Sequence, residues 1–385
     1  MALSYGRPPL AILKNAGVAS PWVACCVRLL AESSGLIPPL NLLGTFQIGR
    51  PSMKAPKNIC IAGVVAMGIA LAACEKPYHQ QEERYILVTA NVNLAYWQEA
   101  QAGLTDIGKT MGVKVEMEGP ATLSPSEELS AFQRAVAQNP AGIMVSASDP
   151  ALFKESINKA VLQGIPVICM DSDSPDSRRV LFIGTDNFRA GQESGKRMAD
   201  LLNGQGRIIL IALPGQLNTE ERVRGVNEVL KKYPVIKVVG TIDDRGDPGA
   251  AYDAVSDLLV NKKEKIDGII CLEASGGQGA ADVLHRMDLT SKIKIVAFDK
   301  DPQTLDAIEH GLISATVAQK PYLMAFYGVR FLDDLHHNAV HEFKDWATAP
   351  TAPLPTFVDT GTAIIDSTNL AIFRKALAEH PKPVI

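Results

Sequence analysis

A chain of 385 residues, 46% hydrophobic and 21% charged, carries enough apolar side chain for a sizeable core in one large or two ordinary domains. Its formal net charge of −4, with no basic stripe, argues against nucleic acid as a partner. The six cysteines form no C-x-x-C pair, which excludes a zinc ribbon, and Cys169 and Cys271 sit inside apolar runs as expected of buried thiols.

In chain order, the first informative stretch is Met53-Lys-Ala-Pro-Lys57, a positive flank to the apolar run Ile59 to Leu71. That run has the length of a signal-peptide core and is too short for a comfortable membrane span. It ends Leu71-Ala-Ala-Cys74, which resembles the lipobox of bacterial lipoproteins. The resemblance implies a signal peptide over 53–74, acylation of Cys74 and a polar tether over 75–83. Residues 1–52 precede this complete signal and read as an uncertain leader behind a start placed too early. Asn15-Ala-Gly-Val-Ala-Ser20 is faintly similar to the helix-turn-helix of sugar-responsive repressors, but no clean first helix precedes it.

From Arg84 onward, apolar runs alternate with amphipathic segments. The runs end at Ala90, Glu118, Val145, Met170, Ile183, Ala212, Thr241, Leu272, Phe298 and Val317. Helices are predicted over 97–110, 126–138, 150–163, 188–202, 219–232, 249–261, 276–287 and 302–310, with a longer one over 321–338. Such alternation implies parallel sheets covered by helices on both faces. This is too many strands for one comfortable sheet, so two are expected, divided near Gly184-Thr-Asp-Asn187. Ala349-Pro-Thr-Ala-Pro-Leu-Pro355 reads as a stiff connection. His336 and His337, with His341, would make a metal clip only if a cysteine or carboxylate spacing completed the set. None does, so a solvated helix face and no metal are expected.

Motifs for catalysis fail one after another. Gly277-Gln-Gly279 lacks the third glycine of a dinucleotide fingerprint, and Gly191-Gln-Glu-Ser-Gly-Lys196 has the wrong spacing for a phosphate loop. What recurs is polar chemistry where strands end. The first strand leads into Asn91, Asn93, Tyr96 and Trp97, amides that can bond hydroxyls and rings that can stack on a sugar. Ser146 follows the third strand, Asp171 and Ser172 the fourth, Glu273 and Asp299 two later ones. Arg222 lies near a helix start, and Gln319 closes Ala315-Thr-Val-Ala-Gln319. Each alone would pass as a helix cap. Together, at matching ends of two sheets, they point to a ligand site.

The stretch from Arg84 to about Asp366 resembles a periplasmic sugar-binding protein of the ribose-binding type, a superfamily shared with ligand domains of sugar-responsive repressors. The resemblance rests on the aromatic pair Tyr96-Trp97, on Pro166-Val-Ile-Cys-Met-Asp171 and on Arg222-Val-Arg-Gly225. It rests also on Val296-Ala-Phe-Asp299, one residue short in spacing, and on Ala315-Thr-Val-Ala-Gln319. Leu94, Ser172 and Glu273 depart from the ribose pattern and put the identity of the sugar in doubt.

By this resemblance the fold is α/β, two doubly wound parallel-sheet lobes joined by a three-crossover hinge (periplasmic binding protein-like, type I). One lobe takes 84–185 and 319–350, the other 186–318, and 351–385 forms a C-terminal connection and crossover. The implied protein is a monomeric, extracytoplasmic solute receptor, in the periplasm or at the cell surface and anchored through Cys74. It needs no cofactor and is not an enzyme. It hands a monosaccharide, amino sugar or polyol to an ABC permease, and a chemoreceptor or sensor would read the same closed form. The implied ligand contacts are Asn93, Tyr96, Trp97, Ser146, Asp171, Ser172, Arg222, Glu273, Asp299 and Gln319. Three carboxylates against one arginine favour neutral or amino sugars over sugar acids, less strongly if Glu273 only caps the helix after it. The alternatives are the ligand domain of a regulator, which would need a DNA-binding domain before residue 53, and a sugar-modifying enzyme on a similar scaffold.

Overall fold

Runs such as Gly142–Val145, Val167–Met170 and Gly268–Cys271 are apolar at every position, and every residue of them is buried. That is the signature of strands with helices on both faces rather than one. The computed structural model describes residues 78–379 apart from 81, 338, 340–344, 348 and 352. The expected leader, signal peptide and lipobox, with Cys74, lie outside the described residues.

The first half of the body runs β1 (Arg84–Val88), α1 (Ala95–Met111), β2 (Lys114–Glu118), α2 (Pro125–Ala137), β3 (Gly142–Val145), α3 (Pro150–Leu162), β4 (Val167–Met170) and β5 (Leu181–Gly184). The second continues with α4 (Asn187–Leu201), β6 (Gln205–Ile211), α5 (Leu217–Leu230), β7 (Val235–Ile242), α6 (Pro248–Val260), β8 (Gly268–Cys271), α7 (Gly276–Arg286), β9 (Lys294–Phe298), α8 (Pro302–Glu309) and β10 (Ala315–Ala318). Then come α9 (Pro321–His336), β11 (Phe357–Asp359), β12 (Ala363–Asp366) and α10 (Leu370–Glu379).

The strands form two six-stranded sheets, ordered β11-β5-β4-β3-β1-β2 and β12-β10-β9-β8-β6-β7. The second repeats the first, strand for strand. All pairings are parallel except that of β10 with β12. Both sheets reverse their winding beside the first strand, between β1 and β3 and between β6 and β8. Open α/β sheets take ligands at the carboxyl side of such a point. The chain passes between lobes three times: from β5 to α4, from β10 to α9, and from β11 to β12. This is the two-lobed, three-crossover architecture expected from the resemblance.

Residues 351–385 do more than connect. Within their described part, β11 adds an edge strand to the first sheet, β12 adds one to the second, and α10 follows. The helix α1 begins at Ala95, two residues before the expected start, so Tyr96 joins Trp97 in its first turn. Glycines set the closest helix approach. A Cβ on Gly191 of α4 would lie 2.1 Å from the carbonyl oxygen of Arg222, and one on Gly225 of α5 would lie 2.0 Å from that of Phe188. Only two bare backbones can pass this closely. Their contact fixes the face of α5 that carries Arg222.

The start of the body and the end of α9 depart from expectation. The stretch predicted as a tether packs against α9: Glu83 is buried, and the Tyr78 ring stacks on His337 at 4.3 Å between centroids. His337 is therefore not on a solvated helix face. It sits beside Glu83 and Asp333, a carboxylate pair invisible to local spacing because Glu83 comes from the far end of the chain. His341 lies outside the described residues.

Candidate ligand-binding site

The carboxyl ends of both sheets meet at a cleft of about 590 Å³, open mouth included. The first lobe contributes Asn91 after β1, Tyr96 and Trp97 from α1, Ser146 after β3 and Asp171 after β4. The second contributes Asn218 and Arg222 from α5, Glu273 after β8 and Asp299 after β9, with Gln319 where the chain crosses after β10.

Two expected contacts fall outside this lining. The Asn93 side chain is turned away, donating to the carbonyl of Ala121 at 3.0 Å. The Ser172 hydroxyl is buried behind the wall, donating to the carbonyl of Ala147 at 3.0 Å. In both cases a backbone acceptor close by takes the polar group that a ligand was expected to take. Asn91, part of the polar elbow after β1, lines the cleft, and so does Asn218, which was not singled out. Asn218 stands one helical turn before Arg222 and hence on the same face, a spacing that could have found it.

Arg222 organises the floor. Its Nε donates to Asn187 Oδ1 at 2.9 Å, Nη1 to the Leu272 carbonyl at 2.7 Å and Nη2 to Gln319 Oε1 at 2.8 Å. The guanidinium lies over the Phe298 ring, 4.4 Å from its centroid. The Gln319 amide then donates to Asp299 Oδ1 at 2.9 Å. Thr185 donates to the same Gln319 oxygen at 2.8 Å. Gln319 thus joins two of the three interlobe passages to the floor of the cleft.

On the opposite wall, the Tyr96 hydroxyl donates to Asp171 Oδ1 at 2.7 Å. Its ring stands edge-on to that of Trp97, at 86°. Burial pushes the Asp171 carboxyl up from the usual range, opposed by Arg222 and by the Tyr96 hydroxyl. Burial also pushes Asp299 up to about 7, against the pull of Arg222, Gln319 and Lys300. At both acids burial outweighs the groups that favour the charged form.

Glu273 is differently employed. It accepts from the backbone N–H groups of Ser275 (2.6 Å) and Gly276, capping α7. Asp244 beside it is pushed up to about 9, first by burial and then by the Glu273 charge. With Glu273 so satisfied, the cleft holds two carboxylates with capacity to spare, Asp171 and Asp299, facing Arg222. Direct contacts also span the lobes across the cleft. The Asn218 amide donates to Asp171 Oδ2 at 3.4 Å, and Lys300 pairs with Glu99 of α1.

A family model described as a periplasmic binding protein domain matches residues 85–338. A sugar-binding protein of a sugar ABC transporter from Bacillus halodurans is similar in structure, with TM-score 0.69 and 37% identity, covering 76% of this chain and 100% of that one. AraP, an arabinose-binding protein from Geobacillus stearothermophilus, is 34% identical with TM-score 0.65, covering 76% of this chain and 99% of that one. The xylose/arabinose-binding protein XylF of Sulfolobus acidocaldarius is 24% identical over 334 residues, 83% of this chain and 79% of that protein. With residues 85–338 so matched, the chain belongs to the periplasmic binding protein domain family.

Proposed function

We propose that this chain is the sugar-binding component of an ABC importer, capturing a neutral monosaccharide or polyol between its lobes and presenting the closed form to a membrane permease. The observation that carries this is the convergence of Asp171, Asp299, Arg222, Gln319 and the Tyr96–Trp97 pair, from both lobes, on one cleft. Asp171 and Asp299 accept from sugar hydroxyls, Asn91 and Asn218 supply amides, and Arg222 donates through the N–H groups its own partners leave free. The rings stand at 86°, so a pyranose lies against the face of one and the edge of the other. A sugar acid would bring a third negative charge to Asp171 and Asp299 in a site that excludes water. The similarity to arabinose- and xylose-binding proteins makes a neutral pentose the first ligand to try.

Closure is a hinge motion at the three interlobe passages, and binding leaves the sugar unchanged. The lipobox resemblance supports a location outside the cytoplasm, with the protein tethered by an acyl chain on Cys74. Among the described residues no helix is long and apolar enough to cross a membrane. A sensor domain could read the same closed form.

The test is a thermal-melt panel of neutral pentoses, hexoses, polyols, uronates and sugar phosphates, followed by analysis of the recovered ligand. Ligand at a hundred times its dissociation constant stabilises the fold by about 2.7 kcal/mol. A neutral sugar should give the largest shift and return intact. A largest shift from a uronate or phosphate overturns the ligand class, and chemical conversion of the sugar overturns the function.

A further inference from the structure

At the amino end of β1, remote from the cleft at its carboxyl end, four side chains point their donor atoms at one place. They are His79 and Glu83, just before β1, and Asp333 and His337, one turn apart at the end of α9. His79 Nε2 lies 3.1 Å from Asp333 Oδ1, His337 Nε2 lies 3.2 Å from Glu83 Oε2 and 3.4 Å from Asp333 Oδ1. All four donor atoms fall within 4.8 Å of one another. We propose that His79, Glu83, Asp333 and His337 form a structural Zn²⁺ site that clasps the segment preceding β1 to the end of α9.

Several features select this metal and this role. Zn²⁺ takes four nitrogen and oxygen ligands at about 2.0–2.1 Å in a tetrahedron, whose edges are then roughly 3.3–3.4 Å long. The three shortest donor separations already bracket that edge, and the partly exposed His79 can swing to close the rest. Two neutral imidazoles and two carboxylates leave a charge of minus two, which a divalent cation cancels. Glu83 and Asp333 are 7% and 1% exposed, so uncompensated charge there is costly.

The surroundings hold the ligands in place as outer groups of a metal site do. The Tyr85 hydroxyl donates to Asp333 at 2.9 Å. The backbone N–H of Gln80 donates to Glu83 Oε1 at 2.8 Å, leaving Oε2 turned to the cluster. Tyr78 stacks on the His337 ring. The clasp joins residues 254 apart in sequence. It fixes the first described residues of the body to the surface of α9.

The experiment uses untagged protein stripped with a chelator, titrated with ZnCl₂ by calorimetry and followed by thermal melting with no sugar present. One Zn²⁺ per chain should bind, and the melting temperature should rise. His79→Ala and His337→Ala, both at partly exposed positions, should each weaken Zn²⁺ at least tenfold and abolish the rise, while keeping the melting shift produced by sugar. Absence of saturable one-to-one binding, or variants that bind Zn²⁺ like the parent, would overturn the site and leave the cluster an ion-pair network. Because zinc binding is read without ligand, failure of the sugar reading would not affect it.

Discussion

Asp171 and Asp299 occupy the same place in the two lobes, each the first residue beyond its strand (β4 and β9), and each has a left-handed backbone, with φ of 69° and 68°. Their N–H groups bond matching neighbours, Asp171 to the Ile183 carbonyl at 3.1 Å and Asp299 to that of Val317 at 2.9 Å. A non-glycine residue in this region carries strain of order 1 kcal/mol, which Asp tolerates better than most. The strain turns a carboxylate from each lobe into the cleft. Asp299→Ala should weaken sugar binding by about 2–5 kcal/mol, thirtyfold or more. Asp299→Gly should bind as poorly but melt higher than Asp299→Ala, because glycine removes the backbone penalty. Calorimetry and thermal melts check both. Normal sugar binding by either variant would show that the cleft is misread.

Arg222 should behave differently. Its guanidinium is 2% exposed and donates to Asn187, Leu272 and Gln319. Arg222→Ala should abolish binding and also destabilise the ligand-free fold by about 3–5 kcal/mol, since buried acceptors lose their charged donor. A chemical denaturation curve indistinguishable from the parent would contradict this.

The pairing of Lys300 with Glu99 bridges the lobes at the mouth of the cleft, where the lysine also donates to the Gln319 carbonyl at 2.8 Å. The pair is partly solvent-exposed, so Glu99→Gln should cost about 0.5–1 kcal/mol of closed-state stability. Stopped-flow displacement should show the loss mainly as two- to fivefold faster sugar release, less at high salt than at low. An unchanged release rate would remove this pair from the closure mechanism.

Stability should depend on pH through Glu128, fully buried on α2 and bonded by the Ser148 hydroxyl. Burial pushes its carboxyl from 4.5 up to about 8. At neutral pH the folded chain keeps a proton that the unfolded chain has released. The stabilisation is therefore complete below about pH 4.5 and lost as pH rises through 8. Ligand-free protein should melt higher at pH 5 than at pH 8, and Glu128→Gln should flatten part of that slope. A parallel slope in the variant would place the proton elsewhere.

If the lipobox is used, Cys74→Ala should move the protein from the membrane fraction to the soluble one, with its sugar-induced melting shift intact. Mass spectrometry of the amino terminus is the direct measurement, with a diacylated or triacylated Cys74 as the expected result.

Much of this was legible because the pattern was local. Pro166-Val-Ile-Cys-Met-Asp171 announces a buried strand and its terminal acid within six residues. The predicted helices lie within a few residues of those observed because their apolar spacing belongs to each segment alone. What escaped was set by tertiary partners. Phe357–Asp359 and Ala363–Asp366 are too short and too exposed to read as strands until β5 and β10 supply their hydrogen bonds. Asn93 and Ser172 looked like site residues until the carbonyls of Ala121 and Ala147 took their donors. His337 read as a surface residue because its carboxylate neighbour Glu83 lies 254 positions away.

The placement of α9 sets an order on assembly. Tyr85 at the start of β1 bonds Asp333 near the end of α9, a separation of 248 residues, and the last strand of its sheet arrives later still. The strands β6 to β10, by contrast, follow one another without a break and need only β12 from outside. During synthesis the lobe made first cannot be finished first. Its core stays open until the other lobe has been made, while the second can collapse as a nearly continuous unit. Long-range closure of this kind slows folding and prolongs the exposure of unpaired edges. Chaperones should therefore meet this chain chiefly through residues 84–184, and slow-refolding variants should cluster in β1, α1 and α9 rather than in the middle of the sequence.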